Sequence, residues 1–177
     1  AHVLPHPSIM RPMLLRAIQR VHFVAACLVG GVAFVGTSLF WALYAVVRRS
    51  DARRAPVFFA RSFSWIMRAA AGWRIDAQGT EYLNRGPVII AVNHQSNLDI
   101  VTCGSIYPFG TVVIGKKEIR ALPGFGWFFA VTGNLFIDRS DPKKARETMI
   151  EAARHVTEEK LSVWMFPEGH RNQAETL

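Results

Sequence analysis

His94 and Asp99 lie at the two ends of the spacing His-x4-Asp, inside Asn93-His94-Gln95-Ser96-Asn97-Leu98-Asp99. A carboxylate that accepts a hydrogen bond from one imidazole nitrogen fixes the tautomer and leaves the other nitrogen free to take a proton. If the segment turns from a strand into a helix, Asp99 folds back toward His94 and the pair becomes a general base. The spacing alone is weak, because about one histidine in twenty has an aspartate at that distance by chance. An aspartate at a helix start beside a surface histidine is the plain alternative.

Arg139 ends Gly133-Asn134-Leu135-Phe136-Ile137-Asp138-Arg139, and Arg171 ends Phe166-Pro167-Glu168-Gly169-His170-Arg171. A guanidinium held at a strand end presents a fork that matches phosphate. Lys116 and Lys117 add point charge to the same face, or simply form a solvated turn. Glu168 can hold its loop by accepting backbone N–H groups, and Gly169 lets the backbone approach a ligand closely, unless the pair is an ordinary turn. Ser96 and Cys103 are second-choice nucleophiles for a covalent route. The chain has no Gly-x-Ser-x-Gly elbow and no phosphate-binding glycine loop, which leaves serine hydrolases and nucleotide binders without support. His94, Asp99, Glu168 and His170 share no compact ligand spacing, so neither a metal nor any other cofactor is expected.

These groups need strands to hold them. Val88–Val92, Thr111–Ile114, Asn134–Ile137 and Ser162–Phe166 are short apolar runs without polar alternation, the pattern of strands covered on both faces. Asp141–Glu159 is a helix, capped by Ser140 or Asp141, with Pro142 in its first turn and Ala145, Met149, Ala152, Ala153 and Val156 as its apolar stripe. Strands alternating with helices predict an α/β domain with a mostly parallel sheet flanked by helices. The polar clusters then fall at the carboxyl ends of strands, where open α/β sheets gather ligands. Gly124 and Gly126, set among aromatics, are expected to shape an apolar surface or groove.

The first 72 residues read differently. Residues 1–75 hold ten arginines, no lysine and one acid, Asp51, whereas residues 76–177 hold eleven basic and twelve acidic side chains. Basic charge confined to the flanks of apolar segments suits anionic lipid headgroups, not a nucleic-acid groove, so no nucleic-acid partner is expected. Val21–Val47 is 27 residues without a formal charge, about 40 Å as a helix against a hydrocarbon core of about 30 Å. Arginines on both sides leave its orientation open, and a span, a re-entrant hairpin and a buried core helix all fit. Pro56–Ala71, with aromatics beside Arg61 and Arg68, reads as an interfacial helix. The expected organisation is a membrane-anchoring helical region over 1–72 and an α/β domain over 73–177. Cys27 and Cys103 sit in apolar surroundings without metal-ligand spacing, so a reduced compartment is the simplest reading and a stray disulfide the alternative.

At the three polar clusters the sequence resembles the glycerophosphate acyltransferase superfamily, specifically the bacterial 1-acyl-sn-glycerol-3-phosphate acyltransferases. Residues 93–99 look like its His-x4-Asp block, residues 133–139 like its second block, and residues 166–171 like its third, with His170 where threonine is usual. The resemblance implies acyl transfer from acyl-CoA or acyl-carrier-protein, as co-substrate, to the sn-2 hydroxyl of lysophosphatidic acid, giving phosphatidic acid. It implies His94 as base and Asp99 as its partner. Arg139, Arg171, Lys116 and Lys117 would hold the phosphate, and Glu168 and Gly169 would shape the acceptor loop. It further implies a bacterial inner membrane with the catalytic domain facing the cytoplasm, and a chain truncated at its C-terminus, because family members continue past the third block. A related acyltransferase acting on another lysolipid or glycerol phosphate, or a non-catalytic lipid-binding membrane protein, would share these features.

Overall fold

The computed structural model describes residues 7–169. In chain order the elements are α1 (Pro7–Val47), α2 (Ala55–Ala71), β1 (Ile89–Ala91), α3 (Asp99–Gly104), β2 (Thr111–Lys116), α4 (Phe125–Val131), β3 (Leu135–Ile137), α5 (Pro142–Glu158) and β4 (Ser162–Met165). The strands form one four-stranded sheet in the order β1-β4-β2-β3, with every neighbouring pair parallel. All four carboxyl ends therefore lie along one side. Residue pairings Ala91↔Met165, Val113↔Trp164 and Lys116↔Ile137 set the register.

Alternation along each strand sorts side chains to two faces. Ile90, Val113, Trp164 and Phe166 turn toward α2, α3 and α4 and join the main core. Ile89, Ile114, Val163 and Met165 turn toward α5, which answers with Met149, Ala152, Ala153 and Val156 across a groove of about 330 Å³. The run without polar alternation is thus explained by apolar demand on both faces. Asp141 caps α5 by accepting from the N–H groups of Lys143 and Lys144, and Pro142 fills the first turn, as the sequence predicts.

Asn134 solves a local problem at β3. Its Oδ1 accepts the Val113 N–H at 2.8 Å and its Nδ2 donates to Thr132 Oγ1 at 3.0 Å, so the side chain extends the β2–β3 ladder before β3 begins. Gly133 ahead of it has φ +76°, a left-handed turn that glycine takes at little cost.

The apolar N-terminal run belongs to one unbroken helix, so the re-entrant hairpin is not formed within Val21–Val47. From Leu15 to Val47 it is long and apolar enough to cross a membrane. Only its later turns are covered: Ala42 and Ala45 are buried, and Phe34 packs edge-on against Phe59 and Phe63. Helix α2 departs from the interfacial reading. Its Val57, Phe59, Phe63 and Met67 are buried and Trp65 alone among its large apolar side chains is largely exposed, because α2 is the middle layer between α1 and the sheet. One apolar cluster runs from Ala42 through Phe59 to Val101, Phe128 and Trp164, across the boundary expected near residue 72.

Close backbone approach marks these contacts. Ser64 Oγ donates to the Val101 carbonyl at 2.6 Å, tying α2 to α3. Gly124, at φ +70°, lets the chain pass beside Leu39 of α1, so this glycine serves packing and not a groove. A Cβ on Gly104 would lie 2.6 Å from the Ala60 carbonyl oxygen. Gly104→Ala is therefore expected to destabilise the fold by about 1–3 kcal/mol through overpacking, read as a lower thermal midpoint in detergent. Gly31→Ala, inside α1 with a Cβ that would meet nothing within 4 Å, should leave the midpoint unchanged or slightly raised, since alanine favours a helix over glycine. Equal midpoints for both variants would contradict so close an α2–α3 contact.

Candidate functional site

Beyond β1 the chain runs through residues 92–98 without regular hydrogen bonding and enters α3 at Asp99. The turn closes on one oxygen. Asp99 Oδ2 sits 2.6 Å from His94 Nδ1 and accepts the backbone N–H groups of Gln95 at 3.0 Å and Ser96 at 3.1 Å. Ser96 Oγ in turn accepts the Leu98 N–H at 3.0 Å, which shapes the turn and occupies the hydroxyl in a structural contact. Because Asp99 Oδ2 already accepts two backbone N–H groups, it faces the ring as an acceptor, which places the ring proton on Nδ1 and leaves Nε2 with its lone pair. The side chains of His94 and Asp99 remain 26% and 16% exposed.

The neighbouring strand completes the surroundings of His94. Phe166, just past β4, stacks on the His94 ring with centroids 4.3 Å apart. Two residues later, Glu168 Oε1 accepts the His94 backbone N–H at 3.2 Å. Glu168 thus holds a loop, as expected, but the loop it holds is that of His94. The other carboxylate oxygen, Oε2, is buried with no hydrogen-bond partner among the described residues. Phe166 and the Glu168–His94 contact escape a linear reading because they require β1 and β4 to be adjacent.

On the far side of the sheet, Arg139 donates through Nη1 to the Gly169 carbonyl. Gly169 has φ +72°, a conformation that favours glycine, and a Cβ there would lie 2.9 Å from Arg139 Nη1, so a larger residue would push the guanidinium aside. With strands about 4.8 Å apart, the ends of β1 and β3 are separated by about 14 Å. The arginine's reach to the loop after β4 narrows that gap. Lys117 donates to Asp138 Oδ2 at 2.9 Å and contacts Ser140 Oγ at 3.3 Å. The Ser140 hydroxyl and the Lys117 ammonium hold the Asp138 carboxyl well below the usual carboxylate range, and Asp138 raises Lys117 in return. Lys116 is exposed at the end of β2. His94, Asp99, Glu168, Gly169 and Arg139 are brought together, Lys117 is answered by its own carboxylate, and Arg171 lies outside the described residues.

Behind the His94–Asp99 pair lies an apolar cavity of about 200 Å³, lined by Phe59, Ile100, Phe128, Trp164 and Phe166 together with Asp99. Cys103 lines it too, and burial pushes its thiol up from the ordinary range, a poor setting for a thiolate nucleophile. No group of three or more His, Cys, Asp or Glu side chains suited to a metal ion occurs among the described residues.

The geometry carries a prediction. In the neutral ring of His94 the proton resides on Nδ1, which 15N chemical shifts of labelled histidine report directly. Asp99→Ala should release that preference, whereas a wild-type ring protonated at Nε2 would contradict the arrangement.

Comparison with known proteins follows the same segment. The family model described as Acyltransferase matches residues 74–177. The chain is 38% identical over 118 residues to the 1-acyl-sn-glycerol-3-phosphate acyltransferase of Saccharomyces cerevisiae, covering 67% of this chain and 39% of that one. It is 47% identical over 85 residues to the Haemophilus influenzae protein of the same name, covering 48% and 35%. With the Escherichia coli protein of that name the identity is 41% over 98 residues, covering 55% and 40%. The chain thus spans between about a third and two fifths of these relatives' length. Among solved structures, the 1-acyl-sn-glycerophosphate (LPA) acyltransferase PlsC from Thermotoga maritima shares the fold, with a TM-score of 0.65 at 22% identity, covering 89% of this chain and 64% of that one.

Proposed function

The chain belongs to the Acyltransferase family, and on that premise we propose that it moves a fatty acyl group from a thioester carrier to the sn-2 hydroxyl of lysophosphatidic acid, giving phosphatidic acid. The observation that carries the reading is the 2.6 Å contact between His94 Nδ1 and Asp99 Oδ2 at the carboxyl edge of the sheet, beside an apolar cavity. Three relatives bear the name of that activity.

The chemistry runs through the free nitrogen. His94 Nε2 takes the proton of the acceptor hydroxyl as its oxygen attacks the thioester carbonyl carbon. The tetrahedral adduct then collapses, the carbon–sulfur bond breaks, and the imidazolium returns its proton to the departing thiolate. Asp99 stabilises the imidazolium between these steps, and the stacked face of Phe166 offers further attraction to that cation. Because the hydroxyl attacks directly, neither Ser96 nor Cys103 needs to carry the acyl group.

Positioning falls to the opposite half of the edge. Arg139, fixed to the Gly169 carbonyl, and Arg171 present guanidinium groups to the acceptor phosphate, with Lys116 adding charge. Lys117 acts chiefly by holding Asp138. Oriented binding of this kind turns a bimolecular attack into a near-unimolecular one. The fatty chain finds its chemical match in the apolar cavity, and the carrier is acyl-CoA or acyl-carrier-protein. The lipids place the reaction at a membrane, and Leu15–Val47 is the segment with the length and composition to attach there. For a bacterial source the site faces the cytoplasm at the inner membrane, where thioester carriers are made.

The test is phosphatidic acid formation by membranes bearing the chain, alone and extended to the length of its relatives. His94→Ala should lower turnover by roughly two to four orders of magnitude, the range of a general base. Turnover by the variant at the wild-type rate would remove His94 from the chemistry.

A further inference from the structure

A separate cavity of about 170 Å³ opens at the other end of the sheet, where β2 and β4 begin. Strand β2 spans six residues, so the cavity lies about 17 Å along the strand from the edge that holds His94. Its walls come from segments far apart in sequence: Arg49 and Arg53 from the 3-10 turn after α1, Gly110 and Thr111 at the start of β2, Gly133 before β3, and His155 in the last turn of α5.

The charges around it are unequally answered. Arg48 and Arg54 reach Asp51 at 3.9 and 3.7 Å, and Arg53 reaches Glu159 at 3.2 Å. Arg49 has no such carboxylate among the described residues and lines the cavity. His155 adds a second nitrogen donor, half-buried in the wall. Thr111 is 4% exposed, and its hydroxyl has no hydrogen-bond partner among the described residues. Gly110 and Gly133 both have positive φ, and a Cβ on either would meet nothing within 4 Å, so the floor is open. A guanidinium without a carboxylate partner, an imidazole and a buried hydroxyl around one space are groups that bind a tetrahedral oxyanion. The position is also suggestive of depth, because Arg49 stands two residues beyond the end of the apolar helix.

We propose that this cavity is a second anion site, distinct from the acyl-transfer centre, that takes a phosphate group carried by a lipid headgroup or free in solution. Arg49 supplies the charge, His155 a directed donor, and Arg53 stays on Glu159 as the hinge between the 3-10 turn and α5. Occupation would tie the end of α1 to the start of the sheet. The inference stands on its own residues and does not need the acyl-transfer reading.

Histidine NMR separates the two sites within one sample. The detergent-solubilised chain, with 13C-labelled histidine, is titrated with inorganic phosphate and, separately, with dihexanoylphosphatidic acid. The His155 signal should move saturably, and should still do so in His94→Ala. Arg49→Gln should weaken the effect at least tenfold while the melting curve stays at the wild-type midpoint. Arg48→Gln, which removes the same charge one residue away and outside the cavity, should leave it unchanged. Response to phosphate alone would identify the bare anion as ligand, and response to the lipid alone would identify the headgroup. A His155 signal that stays still while His94 responds would overturn the proposal, as would equal losses in Arg48→Gln and Arg49→Gln.

Discussion

One carboxylate oxygen organises the active edge of this protein. Asp99 Oδ2 receives the imidazole N–H of His94 and the backbone N–H groups of Gln95 and Ser96, all within 3.1 Å. The chain from 94 to 99 is in effect wrapped around that atom. A charged acceptor makes stronger hydrogen bonds than a neutral one, and three donors on one oxygen hold the loop and the ring together. The geometry of the His94–Asp99 pair and the fold of its loop are therefore a single problem, solved by one carboxylate.

The parallel sheet extends this arrangement to the other clusters. Because every strand runs the same way, the segments after β1, β2, β3 and β4 emerge side by side, and the order β1-β4-β2-β3 decides which of them meet. The segment after β4 lies between the other two clusters. Through Glu168 it grips the His94 backbone, and through the Gly169 carbonyl it receives Arg139. A short stretch thus couples the His94 half of the site to the Arg139 half, with Gly169 in a left-handed φ at the second contact. The helices act beneath this edge. By packing between α1 and the sheet, α2 supplies Phe59 to the same apolar cavity that Asp99 and Phe166 line.

Much of this was legible in the residues because the relevant signals are local. Apolar runs without alternation located four strands, and Asp141-Pro142 located the start of α5. The His94–Asp99 contact follows from a strand-to-helix turn within six residues. The unread parts depend on long-range pairing. Nothing in the linear chain says that Phe166 lies on His94, or that Asn134 bonds to Val113 across 21 residues. Helix α2 misled for a related reason: aromatics beside arginines look the same whether the rings face lipid or a second protein layer. Nor does the linear chain announce that Lys117 donates to Asp138, 21 residues away.

The central claim is that Asp99 acts on the reaction through His94. A double-mutant cycle on kcat/KM for acyl transfer, using His94→Ala, Asp99→Asn and the double variant, addresses it most directly. Two residues working as one unit lose their effect together, so the double variant should be no slower than His94→Ala alone. Losses that multiply, with the double variant slower by the product of the two single effects, would show that Asp99 serves some other step and would contradict the account.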